Sequence, residues 1–194
     1  FEPGTPLDMR MGPDADSSAL DWLKDASEEE LAECFRDNAD LERSRALSRR
    51  IKELLGETSQ PDSEVLRHAV SDVYRPHDLE RNRLLARVFQ AIRMQINREA
   101  SEIRKGLSAA VKALAKGGRL CVLSYHSVED REVKQVFRDF ERDCVCPPEL
   151  PVCQCGGNHR SLRKVLRKPL IASDTEIAEN PRARSAKLRV MEKV

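Results

Sequence analysis

No apolar run in this sequence approaches the ~20 residues needed to cross a bilayer, and its first residues lack the basic-then-apolar pattern of a secretory signal. A membrane is therefore excluded as a partner at the level of sequence. Net charge is also missing: 34 Lys and Arg face 33 Asp and Glu, leaving +1 at neutral pH. Nothing pulls the whole chain toward nucleic acid, so any basic surface must come from local clustering. Cysteine is not spread as in a secreted disulfide framework, since four of the six lie between Cys144 and Cys155. That usage points to a reducing compartment, the cytoplasm. The chain opens on Phe1 rather than Met, and a fragment or a processed product is expected.

What remains is ordinary globular material. With 194 residues, 40% hydrophobic and 35% charged, the length suits one domain or one and a half. The most informative stretch runs from Gly117 to Arg131. A Gly-Gly turn feeds the apolar run Leu120 to Leu123, which ends abruptly in Ser124, His126, Ser127, Glu129 and Asp130 before helical periodicity resumes. The order predicts helix, turn, buried strand, polar strand end and helix. Ligands of open α/β sheets sit beyond the carboxyl ends of strands, which makes His126 the first candidate for chemistry.

Ahead of that strand the pattern is helical for nearly a hundred residues. Residues 1–18 are loop-like, broken by Pro3, Gly4, Pro6, Gly12 and Pro13, and they carry Pro6-Leu7-Asp8-Met9-Arg10-Met11. Asp8 and Arg10 there fit a local ion pair as well as they fit a site. Ser18 is a candidate cap, and Ser27 with Glu30 fits a capping box. A basic helix from about Leu41 to Leu55 holds Arg43, Arg45, Arg49, Arg50 and Lys52 beside Leu47, Ile51 and Leu54. Its polar face suits phosphates or plain solvent. Pro61 opens the next helix and Pro76 closes it. Leu85, Val88, Ile92, Ile96, Ile103, Leu107, Val111 and Leu114 then predict one helix from about Arg83 to Ala115, roughly 45 Å long at 1.5 Å per residue. Gln90, Arg93 and Asn97 share one polar face of it.

Beyond the central strand, Val128 to Phe140 is amphipathic and predicts a helix. Cys144, Cys146, Cys153 and Cys155 follow as two Cys-x-Cys pairs in a Pro- and Gly-rich stretch, with His159 nearby. Four thiolates could serve one structural zinc, and paired or free thiols are the alternative. After the basic run from His159 to Lys168, residues 165–172 suggest a strand, and Lys187 to Val194 alternates as a strand with one solvated face. Between them the turn Glu179-Asn180-Pro181-Arg182-Ala183-Arg184-Ser185 suits either a phosphate clamp or a salt-bridged loop.

Taken together, Pro6 to Met11, Phe89-Gln90-Ala91-Ile92-Arg93 with Asn97, Gly117 to Arg131 and Glu179 to Ser185 resemble four ordered signatures of one family, the bacterial 16S ribosomal RNA cytosine-N4 methyltransferases. The resemblance runs nearly end to end. It implies an α/β fold, a partial class I, Rossmann-like methyltransferase with an inserted all-helical domain. Residues 1–16 would be a loop of the methyltransferase domain, 17–95 the helical insert facing RNA, and 96–194 the C-terminal half of the methyltransferase sheet with a cysteine-rich loop at 144–159. The N-terminal half of the sheet, with the glycine-rich turn for S-adenosylmethionine, is expected to be absent from this chain, and no Gly-x-Gly turn here replaces it. Gln60-Pro61-Asp62-Ser63 departs from the family's usual Thr-Arg-Thr-like start. The partner implied is 16S ribosomal RNA or the small ribosomal subunit, and a homodimer stays open. His126 and Asp8 become the catalytic candidates, and Arg10, Arg43, Arg49, Arg50, Arg93, Arg182 and Arg184 the RNA contacts. A non-enzymatic RNA-binding module is the alternative.

Overall fold

The computed structural model describes residues 4–12, 15–147 and 149–194; the expectations at Phe1, Pro3, Pro13 and Pro148 lie outside them. The chain divides into two compact units, one up to Glu99 and one from Ala100 onward.

In the first unit, helices α1 (Ala19–Asp25) and α2 (Glu28–Ala39) start where the sequence places their caps. Ser18 with Asp21, and Ser27 with Glu30, each form a reciprocal capping box. Helix α3 (Ser44–Glu57) starts later than expected, with Arg43 at its N-cap position. Helix α4 (Ser63–Tyr74) is capped by Asp62, whose carboxylate accepts from the Glu64 N–H at 2.8 Å. Helix α5 (Asp78–Ile96) completes the unit. Leu23, Leu31, Phe35, Leu47, Ile51, Leu66, Val70, Val88 and Ile92 have no exposed surface and form one core. Each such side chain contributes roughly 1.5–3 kcal/mol by leaving water. Leu7 also joins this core, and Ala19 and Leu20 donate backbone N–H groups to Asp8 and Leu7. The loop before α1 is thereby tied to the helices.

The single long helix expected from Arg83 to Ala115 is two helices. The first ends at Ile96, Arg98 takes a left-handed conformation (φ 51°), and α6 (Glu99–Ala113) begins anew. The cause is a tertiary contact. The Asn97 amide nitrogen donates to the Met9 carbonyl at 2.9 Å, while its oxygen accepts from the Met11 N–H at 2.8 Å.

The second unit is a small antiparallel sheet covered by helices. Strand β1 (Arg119–Ser124) pairs with β4 (Lys187–Lys193), which also pairs with β2 (Leu162–Lys164) and β3 (Leu170–Ile171). Of the strand expected over 165–172 only Leu170–Ile171 is formed, after Pro169, which has no N–H to give, while β2 lies ahead of that range. Helix α7 (Ser127–Glu141) covers one face, where Val111, Val133, Phe137, Leu162 and Met191 are buried. Strand β1 is not the buried strand predicted. Leu120 and Val122 pack inward, whereas Cys121 is exposed and Leu123 is 50% exposed. Only one face of the strand is covered, and among the described residues only one of its edges is paired. A short helix α8 (Asp174–Glu179) and a 3-10 turn (Pro181–Ser185) lead into β4. Among the described residues, no helix is long and apolar enough to cross a membrane.

Candidate functional site

His126 sits where β1 hands over to α7, and it is the N-cap of that helix. Its Nδ1 accepts from the Glu129 N–H at 3.3 Å, which puts the ring proton on Nε2, 3.2 Å from Glu129 Oε1. The second Glu129 oxygen accepts from the Tyr125 N–H at 2.8 Å. The adjacent His126 ring, followed by the Tyr125 N–H, holds the Glu129 carboxyl below its usual range against the effect of burial. One helix start therefore ties Tyr125, His126 and Glu129 of the motif together.

The next residue binds the sheet. Asp130 is buried and accepts from Arg189 on β4 at 2.6 and 3.1 Å, with Lys187 Nζ at 3.5 Å. Ser124 faces Lys187 in the β1–β4 register and donates weakly to its carbonyl at 3.4 Å. Because β4 starts opposite the end of β1, the Pro181–Ser185 turn opens at the same end of the sheet as His126. Ala183 is buried there, while Arg182 and Arg184 are exposed, and neither has a carboxylate within ion-pair distance among the described residues.

In the first unit the motif at residues 6–11 meets the end of α5 through Asn97, so two separated signatures form one structure. Arg10 Nε and Nη2 lie 2.6 and 2.9 Å from the two Asp8 oxygens. This pair holds the Asp8 carboxyl below, and the Arg10 guanidinium above, its ordinary range. Met9 between them has φ 60°, a left-handed value that costs a non-glycine residue on the order of 1 kcal/mol or more. Asp8 belongs to the first unit and His126 to the second, and each is placed within its own unit.

The other arginine candidates are mostly engaged. Arg93 pairs with Glu99 at 2.6 and 3.0 Å. Arg50 Nε lies 2.8 Å from Asp72 and its Nη1 3.0 Å from Glu53. Arg49 is 3.9 Å from Glu28, too long for a hydrogen bond, and Arg43 donates to the Val73 carbonyl at 2.9 Å. The basic helix is thus a salt-bridged face with exposed members.

A second cationic surface went unnoticed in the sequence. Lys134 and Arg138 of α7, with Lys164, Leu166, Arg167, Lys168 and Pro169, line a groove beside Arg189. Lys164 pairs with Glu141 at 2.5 Å and Arg189 with Asp130, whereas Lys134, Arg138, Arg167 and Lys168 have no carboxylate within ion-pair distance among the described residues. The run from His159 to Lys168 was its visible half; the contribution of α7 depends on helix packing.

The cysteine pairs converge. Cys144, Cys146, Cys153 and Cys155 hold their sulfurs within 4.8 Å of one another, and all four are free thiols. Without a cation, four sulfurs so close cannot all ionise. The backbone N–H groups of Val145 and Gly157 bring Cys155 down to about 5. The N–H of Cys146 favours the Cys144 thiolate, yet the neighbouring Cys153, Cys155 and Cys146 sulfurs outweigh it and push Cys144 up to about 12.

Gly117 (φ 80°) makes the turn into β1, and a Cβ on Gly118 would lie 2.8 Å from the Ala115 carbonyl and 2.9 Å from Leu114. Gly118 is thus required by the tight turn from residues 114–115 into the strand, whereas Gly117 faces open space.

The class of protein becomes definite by comparison: its relatives are methyltransferases. Residues 1–194 match the model of the MraW methylase family, and the chain belongs to that family. It is 40% identical over 198 residues to a protein of Syntrophotalea carbinolica named ribosomal RNA small subunit methyltransferase H, covering 100% of this chain and 62% of that relative. Proteins of the same name from Heliobacterium modesticaldum and Nitrosococcus oceani are 40% and 45% identical, each covered over 97% of this chain and 60% and 59% of the relative. The chain spans about three-fifths of the length of the curated relatives it matches.

Proposed function

We propose that the full-length protein methylates N4 of a cytosine in the decoding region of 16S ribosomal RNA, with S-adenosylmethionine as methyl donor, and works in the cytoplasm on the small ribosomal subunit. The observation that carries this reading is the family match along the whole chain, together with relatives named for the small ribosomal subunit. The four signatures, ordered as the cytosine-N4 enzymes have them, support the target atom. The donor would supply an electrophilic methyl group.

The open edge of β1 supports a class I, Rossmann-like sheet continued by further strands. Among the described residues β1 pairs only with β4, so the backbone groups along its other edge can pair with a further strand. On this reading residues 17–95 form the helical insert and 96–194 the C-terminal half of the methyltransferase domain.

Methylating an exocyclic amine requires the base to leave its stack, the nitrogen to be aligned, and a group to accept the proton the amine loses. His126 and Asp8 are the candidates, and both are already held by partners. His126 offers a proton on Nε2 and has its other nitrogen occupied by the helix cap, so it suits holding the acceptor edge of the base. Asp8 can accept once Arg10 turns to an RNA phosphate. Arg182, Arg184 and the exposed members of the basic helix, Arg43 and Arg49, hold the RNA backbone, with Arg50 and Arg93 doing so on exchange of their carboxylates.

Methyl transfer to small ribosomal subunits by full-length His126→Ala and His126→Asn proteins tests this. An Asn side chain can still cap α7. If His126 contacts the base, both variants lose about 100-fold or more in turnover with donor affinity unchanged. Wild-type turnover in His126→Asn would reduce the residue to a helix cap. The alternative is an RNA-binding piece without catalysis; a full-length protein that gives no binding heat with S-adenosylmethionine would favour it.

A further inference from the structure

The loop between α7 and β2 has a well-fastened base and an unsupported tip. At the base, the His159 N–H donates to the Asp143 carbonyl at 3.1 Å and the Ser161 N–H to the Phe140 carbonyl at 2.8 Å. The Asn158 N–H reaches the Asp143 carboxylate at 3.1 Å, and Arg160 Nε the Glu141 carbonyl at 3.1 Å. Beyond this zipper the apolar side chains point to solvent: Val145 is 56% exposed and Val152 72%. Hydrophobic burial therefore does not order the tip, and Pro147 and Pro151 exclude regular structure.

What the tip does share is sulfur. Cys144 Sγ lies 3.5 Å from Cys153 Sγ and 3.6 Å from Cys155 Sγ, and Cys153 Sγ lies 3.6 Å from Cys155 Sγ. A disulfide would bring two sulfurs to about 2.0 Å. Four thiolates at about 2.3 Å from one zinc stand roughly 3.8 Å apart along each tetrahedral edge, close to the distances seen. Backbone donors complete the pattern, since the N–H groups of Gln154 and Cys155 both point at Cys146 Sγ at 3.3 Å. Such donors stabilise a metal-bound thiolate and fix its direction. The chain turns back under the sulfurs through three left-handed residues, Gly156, Gly157 and Asn158, with φ of 76°, 69° and 65°. Glycine takes the first two without strain.

We propose that Cys144, Cys146, Cys153 and Cys155 form a tetrathiolate site for one structural zinc ion that orders the loop tip. Sulfur ligands in a tetrahedron select zinc over magnesium or calcium, and four protein ligands leave no position open for catalysis. His159 is not a ligand; its Nε2 lies 3.3 Å from the Cys155 carbonyl oxygen. The site stands independently of the methyltransferase reading, because its readout is metal content rather than activity.

The test is metal analysis of the full-length protein, purified under reducing conditions with zinc in the growth medium. One zinc per chain is expected, and Cys146→Ser or Cys155→Ser should lower it at least fivefold. Cys121→Ser, which alters an exposed cysteine outside the cluster, should retain it. Titrating the metal-free protein with cobalt(II) should produce the intense absorption of a tetrahedral thiolate site, and zinc should abolish it. A wild-type protein with less than one-tenth equivalent of zinc, with iron in its place, or with a cobalt spectrum of octahedral oxygen ligation would overturn the proposal. Equal zinc in Cys121→Ser and Cys146→Ser would do the same.

Discussion

Replacing Asp130 by Asn should expose how much of the second unit depends on one buried ion pair. Asp130 is 6% exposed in its side chain and receives both Arg189 hydrogen bonds, at 2.6 and 3.1 Å. Removing one partner of a fully buried pair costs about 3–5 kcal/mol, because the other charge is left desolvated. Here Arg189 is 21% and Lys187 40% exposed, so water can partly solvate what remains. A loss of about 2–3 kcal/mol is the consistent figure. The effect has a defined pH dependence. Burial alone would raise the Asp130 pKa, but the hydrogen bonds and charge of Arg189, followed by the charges of Lys187 and Lys134, hold it below its usual range. A folded-state pKa below the unfolded value of about 3.9 means that the stabilisation is fully present above that pH. It disappears as pH falls through the folded-state value. Urea unfolding followed by far-ultraviolet circular dichroism should show a constant gap between wild type and Asp130→Asn from pH 5 to 8 that closes below about pH 4. A difference under 0.5 kcal/mol at pH 7, or one that persists unchanged in acid, would refute this account of the strand–helix junction.

Asn97→Ala should remove the two bonds to Met9 and Met11 and cost about 2 kcal/mol, at roughly 1 kcal/mol for each bond. Limited proteolysis should then cut at Arg10 faster than in wild type, and equal cleavage would contradict the staple. Arg167→Ala with Lys168→Ala should lower the affinity of the full-length protein for a 16S RNA fragment. It should also flatten the logarithmic salt dependence by about 1.5, since each lost phosphate contact removes roughly 0.7–0.9. An unchanged slope would place the groove away from RNA.

Local chemistry made much of the helical unit legible. Ser18 and Ser27 announce their helices because a cap and its box lie within four residues of each other. The break after Ile96 was hidden for the opposite reason: no proline or glycine marks it, and the amide that terminates α5 bonds to backbone 86 and 88 residues away. The position of His126 at the strand end followed from the change in residue type. Its tie to Glu129 did not, because a histidine three residues before a glutamate has the same spacing whether or not it caps a helix. The arginines show the difference most clearly. Composition lists Arg50 and Arg182 alike, yet one is held by Asp72 and Glu53 while the other is exposed without an ion pair among the described residues.

Sequence alone determined the helical character of the first unit, the caps at Ser18 and Ser27, the paired cysteines and the ordered signatures that tie the chain to its family. All of these depend on neighbours within a turn or on order along the chain. Tertiary structure decided which face of β1 is covered, which cations are free, that residues 6–11 meet Asn97, and that four sulfurs converge at zinc-like distances. Those outcomes depend on contacts between distant segments, and linear spacing does not encode distances across a fold.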